Sequence, residues 1–91
     1  MDNKSVNRVK VVIHGIEYTL RGTSSEQHIQ EVARMVDRCM AEIAATASYM
    51  DERRVAVLAA LNLAEQLHQL QREYQELVNL LEEQTGGTSQ S

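Results

Sequence analysis

Proline, phenylalanine and tryptophan are absent from this chain, and cysteine occurs once, at Cys39. Without proline, nothing interrupts a helix covalently, and only glycine or a capping side chain can end one. Only Tyr18, Tyr49 and Tyr74 are aromatic, which disfavours a β-sandwich core. A single cysteine excludes an internal disulfide and suits a reducing cytoplasm. No apolar run approaches the roughly 18–20 residues that a membrane span needs. The residues after Met1 are Asp2, Asn3 and Lys4, with no apolar stretch behind them, so a secretory signal is not expected. With 91 residues the chain supports one domain at most.

What the chain does have is a leucine seam. Leu63, Leu67, Leu70, Tyr74, Leu77 and Leu81 follow one another at steps of 4, 3, 4, 3 and 4. That is a heptad a/d stripe, the pattern by which helices wind around each other. Burying one Leu-sized side chain is favourable by roughly 1.5–3 kcal/mol. Six of them left in water would forfeit on the order of 10 kcal/mol, comparable to the stability of a whole domain. Nothing else in so short a chain is long enough to cover the stripe. The seam therefore predicts an obligate oligomer.

Charge is spread unevenly over a net of −4. Residues 1–22 carry Lys4, Arg8, Lys10 and Arg21 against Asp2 and Glu17. Residues 63–91 carry Arg72 against Glu65, Glu73, Glu76, Glu82 and Glu83. The acidic total argues against nucleic acid as the main partner. The basic end suits an acidic protein partner.

Near the N-terminus two alternating runs flank His14-Gly15. A two-residue loop containing glycine between such runs predicts a β-hairpin. Closing it there pairs Ile13 with Ile16, Val11 with Tyr18 and Val9 with Leu20. All six apolar residues then share one face, with Lys10, Thr19, Val12 and Glu17 on the other. A lone hairpin is marginal in water, so a helix should cover the apolar face. Thr23 with Glu26, or Ser24 with Gln27, fits the capping box that starts it. The stripe Ile29, Val32, Ala33, Val36, Met40, Ile43 and Ala47 has helical period, and this first helix should end near Thr46–Ser48. Asp51 is the expected cap of a second helix. No breaker follows before Gly86-Gly87, so that helix should run for about 33 residues, roughly 50 Å. Its start, Val55 to Ala64, is apolar nearly all round and should be buried on several sides, one against the hairpin and first helix and the other against a second subunit.

The expected fold class is thus α+β and oligomeric, with a hairpin packed on a short helix, then a long helix ending in a coiled coil. Residues 1–62 form the head with the start of the long helix, 63–84 the coiled coil, and 85–91 a disordered tail.

Little here suggests catalysis. His14, His28 and His68 are scattered, without metal-ligand spacing. Cys39 reads as a small buried hydrophobe beside Met40. Neither a nucleophile grouping nor a phosphate loop is legible, and no cofactor is expected. An enzyme of this size holding a dianion would need several cations on the apolar stripes. Arg34, Arg38, Arg53, Arg54 and Arg72 all lie off them. Arg53-Arg54 sits in the first turn of the second helix, where positive charge opposes the helix dipole. Asn62 is flanked by apolar residues, where an amide needs a partner. It fits a register-setting residue in a helical interface or a direct partner contact.

Three segments also carry a resemblance. Val12 to Leu20 (Val-Ile-His-Gly-Ile-Glu-Tyr-Thr-Leu), Val36-Asp37 with Met40, and Val57 to Ala64 (Val-Leu-Ala-Ala-Leu-Asn-Leu-Ala) resemble the motifs of the cell-division ZapA family. The order of elements matches over residues 6 to 84, and the short second helix resembles the compact Gram-positive form. The resemblance implies a cytoplasmic protein at the mid-cell division site that dimerises through head and helix. It implies a dimer of dimers with antiparallel coiled coils and heads at both ends. Each end would bind FtsZ, so that filaments are cross-linked into bundles and the division ring is stabilised, with no catalysis, nucleic acid or membrane involved. Gly15 matches the family's turn glycine. Asn62 matches its asparagine near the head–stalk junction, where FtsZ binding is placed. Glu17 departs from some relatives. Lys10, Arg21 and Arg54 are candidate contacts from charge alone. The rival expectation is a generic coiled-coil module, such as an antitoxin-like regulator or a small holdase. It shares the seam but not the combination of the hairpin with the Ala-Leu-Asn segment.

Overall fold

The computed structural model describes residues 6–85. The elements are β1 (Asn7–Ile13), β2 (Ile16–Gly22), α1 (Glu26–Thr46) and α2 (Glu52–Thr85). The chain divides into two compact units, residues 1–60 and 61–91. The tail expected beyond Thr85 lies outside the described residues; Thr85 itself closes α2.

In the first unit, β1 and β2 form an antiparallel two-stranded sheet. Its register pairs Ile13 with Ile16, Val11 with Tyr18 and Val9 with Leu20, as the alternation requires. His14 and Gly15 both have positive φ, 51° and 79°. That is the type I′ turn, whose twist matches the flanking strands. Gly15 adopts this conformation freely, whereas His14 is held in it. Its amide donates to Oδ1 of Asp37 at 2.7 Å. Its ring Nδ1 lies 2.9 Å and 3.0 Å from the carboxylate oxygens of Glu52. The turn is therefore fastened to the middle of α1 and to the first residue of α2.

α1 packs on β1. Val9, Val11, Ile29 and Ala33 form the buried cluster, with Ile13 and Leu20 against it. Ile16 and Tyr18 stay 43% exposed, so the β2 half of the apolar face is less well covered. A second group of buried residues comprises Cys39, Met40, Ala47, Val55 and Ala59. The Cys39 thiol contacts the Ala59 carbonyl, with Sγ 3.7 Å from its oxygen. That joins α1 to the start of α2 and agrees with a packed cysteine.

Neither expected capping frame is used at α1. The N-cap is Ser25, in extended conformation, and its hydroxyl accepts from the His28 amide at 3.1 Å. Thr23 and Ser24 belong instead to the bend leaving β2. There the Ser24 carbonyl accepts from Nδ2 of Asn7 at 2.6 Å. The frame is one residue later than Ser24 because the hairpin runs on through Gly22. Asp51 caps α2 as expected, accepting from the Arg54 amide at 2.9 Å. α2 then runs for 34 residues.

At the start of α2, Val55 and Ala59 are 1% exposed, but Val57, Leu58 and Leu61 are open. The side expected to pack within the chain is buried, and the open residues are those expected against a second subunit. A single packed helix covers only the stripe at i and i+4.

Candidate partner and self-association surfaces

The solvent face of the hairpin holds the first surface. Side chains alternate along a strand, so the register that buries Val9 and Val11 turns Arg8, Lys10 and Val12 outward. On β2 the outward residues are Glu17, Thr19 and Arg21. Cross-strand partners on this face are Arg8 with Arg21, Lys10 with Thr19, and Val12 with Glu17. The structure thus brings the expected residues Lys10 and Arg21 onto one face and adds Arg8. The same pairing sum that joins Ile13 to Ile16 joins Arg8 to Arg21, so the signal was present in the sequence. Among the described residues, no carboxylate lies within ion-pair distance of Arg8, Lys10 or Arg21.

Arg21 also borders a shallow groove beside β2. Leu20, Ile29 and Val32 form its apolar floor, and Ser24 and His28 stand at its rim.

Arg54 is exposed in the first turn of α2, away from the hairpin positions in sequence. Its amide is used by the Asp51 cap, which leaves the guanidinium to solvent. Asn62 is exposed, and among the described residues its side-chain carboxamide has no hydrogen-bond partner.

The second unit holds the seam. Leu67, Leu70, Tyr74, Leu77 and Leu81 are all more than half exposed, Tyr74 reaching 67%, and Leu63 is half-buried. Leu61, Val78 and Leu80 add apolar surface beside the seam, and the polar positions elsewhere support the helix. Gln75 Nε2 donates to Asn79 Oδ1 at 3.1 Å, and Gln69 Nε2 to Glu73 Oε2 at 3.5 Å. These i, i+4 pairs stabilise an exposed helix. Glu65, His68, Arg72 and Glu76 line a shallow polar groove on the same unit.

Asp37 and Glu52, which hold the turn, were not singled out for that task from sequence. Nothing in local spacing links either to residue 14. Among the described residues, no group of three or more His, Cys, Asp and Glu side chains is placed to hold a metal ion. No described helix is long and apolar enough to cross a membrane.

A small α+β head carrying a long helix with an open heptad seam defines a class of self-associating proteins. The family model for Cell division protein ZapA matches residues 9–89. The chain belongs to the cell-division ZapA family. It is 38% identical over 87 residues to Cell division protein ZapA of Geobacillus thermodenitrificans, covering 96% of each chain. It is 32% identical over 83 residues to that of Bacillus pumilus, covering 91% of this chain and 98% of the relative. Among solved structures it is similar to a ZapA mutant dimer from Geobacillus stearothermophilus. The TM-score is 0.72 at 36% identity, over 90% of this chain and 95% of that one. Membership carries a role in cell division.

Proposed function

We propose that this chain is a non-enzymatic adaptor that binds FtsZ and cross-links its protofilaments, stabilising the division ring. It acts in the cytoplasm at mid-cell, as a dimer or a dimer of dimers. The observation that carries the reading is the open seam from Leu63 to Leu81. From Leu67 onward its side chains are more than half exposed in the single chain, and apolar surface on that scale calls for a second helix. The similarity to a relative described as a dimer supports self-association. In this reading residues 1–62 form the head and 63–84 the coiled coil. Asn62, Arg54, Lys10 and Arg21 contact FtsZ, and Leu63, Leu67, Leu70, Tyr74, Leu77 and Leu81 join the protomers.

Joining heads through a seam turns a modest single-site affinity into avidity on a polymer, where neighbouring subunits present repeated sites. The test is low-speed sedimentation with polymerising FtsZ and GTP, which pellets bundles and leaves single filaments behind. Pelleting of both proteins is the expected result. A stable oligomer that leaves FtsZ in the supernatant would overturn the adaptor and favour the generic coiled-coil module.

A further inference from the structure

The hairpin contains a pairing that is unfavourable for its own stability. Arg8 lies directly opposite Arg21 on the solvent face. Like charges in that position destabilise an antiparallel pair. Lys10 is two residues along on the same face, so three cations share a small patch of a chain whose net charge is −4. Glu17, at the turn end of β2, confines the positive potential to the end where Thr19 and Arg21 lie.

The two edges of the sheet are not equivalent. The Lys10 carbonyl accepts from Nε2 of Gln30 at 3.3 Å, so it points away from β2 and α1 engages the β1 edge. Thr19 is the cross-strand partner of Lys10. In an antiparallel ladder, paired residues of this kind both turn their backbone groups outward. The peptide groups of Glu17, Thr19 and Arg21 therefore face away from β1. The sheet has two strands, so among the described residues no third strand takes them up. An open edge of this kind is a template for a further strand. Immediately beside it lies the groove floored by Leu20, Ile29 and Val32, of about 330 Å³. Arg21 belongs to both the basic face and the groove rim.

We propose that the β2 edge receives an extended, acidic polypeptide segment as a third strand. Side chains of such a segment alternate between its two faces. One set enters the groove and is apolar. The other set lies over the solvent face and is acidic, pairing with Arg21 in the field of Arg8 and Lys10. A guanidinium matches a carboxylate with two parallel hydrogen bonds. Repulsion from Arg8 favours rotamers of Arg21 that reach outward over the edge, where the carboxylate arrives. A polypeptide fits better than a nucleic acid or an anionic membrane, because the chain as a whole repels polyanions and the edge offers main-chain pairing. The inference deepens the adaptor reading and rests on it for the protein that contributes the segment.

The test uses the full chain and a fluorescein-labelled ten-residue peptide of alternating Glu and Val, with an alternating Lys and Val peptide as control. Anisotropy should show salt-sensitive binding of the acidic peptide alone. Arg8→Gln with Arg21→Gln should weaken it by about tenfold or more. The same variant should melt no lower than the parent, since it removes a repulsion. Amide exchange at Thr19 and Arg21 should slow when the peptide binds. Equal binding by the variant, unchanged exchange at both amides, or tighter binding of duplex DNA or anionic vesicles would each overturn the proposal. FtsZ sedimentation separates the two readings. If the variant bundles FtsZ as well as the parent, this site and the Arg21 contact are wrong, while the adaptor's bundling activity stands. If the peptide binds through the arginines but the parent never bundles FtsZ, the site stands and the adaptor reading fails.

Discussion

The amide of His14 donates to Oδ1 of Asp37 at 2.7 Å, across 23 positions of sequence. A type I′ turn projects this amide out of the hairpin, and the carboxylate in the middle of α1 meets it. The hairpin is thereby located on α1 by a charge-assisted hydrogen bond as well as by Val9, Val11, Ile29 and Ala33.

Asp37→Ala removes that acceptor from a half-buried site. Stability should fall by about 1–3 kcal/mol, as for a partly buried donor left without its partner. Urea unfolding at fixed protein concentration measures it, and helix content in water should stay near that of the parent. A loss within a few tenths of a kcal/mol would mean that water replaces the carboxylate without penalty.

Ser25→Ala tests the helix start. The hydroxyl that accepts from His28 is lost, and about 1 kcal/mol should go with it. Thr23→Ala and Ser24→Ala should be near neutral, since neither side chain caps α1. Equal effects at residues 23, 24 and 25 would move the cap away from Ser25.

Leu70→Glu combined with Leu77→Glu places two carboxylates on the seam. Light scattering should report a smaller assembly than the parent at the same concentration. The head should keep its far-ultraviolet signal, because its buried residues lie at or before Ala59. An unchanged mass would remove the seam from the interface.

Asn62→Ala should lower FtsZ bundling or change the assembly while leaving helix content intact. The Asn62 side chain is exposed and has no hydrogen-bond partner among the described residues, so an effect on bundling reports an intermolecular contact. Parent-like bundling and assembly would make it a neutral helix position.

Period and parity made much of this protein legible in one dimension. The alternation through Val9 and Leu20 admits one register that places six apolar residues on one face, and a slip of one residue would turn them all to water. The same parity implies the opposition of Arg8 and Arg21. Helix starts were harder to read. Three hydroxyl residues in a row, Thr23 to Ser25, offer overlapping frames, and only the path of the chain out of β2 selects the last of them.

The sequence by itself determined the hairpin register, the succession of two helices and the heptad stripe, because each follows from repeats of 2, 3.6 or 3.5 residues that local geometry imposes. Tertiary structure decided the rest. It placed His14 between Asp37 and Glu52, residues 23 and 38 positions away. It set α1 against β1, leaving the β2 edge open. It also buried one stripe at the start of α2, Val55 and Ala59, within the chain. Long-range contacts of this kind depend on how finished elements pack, and packing has no period in the chain for a sequence to display.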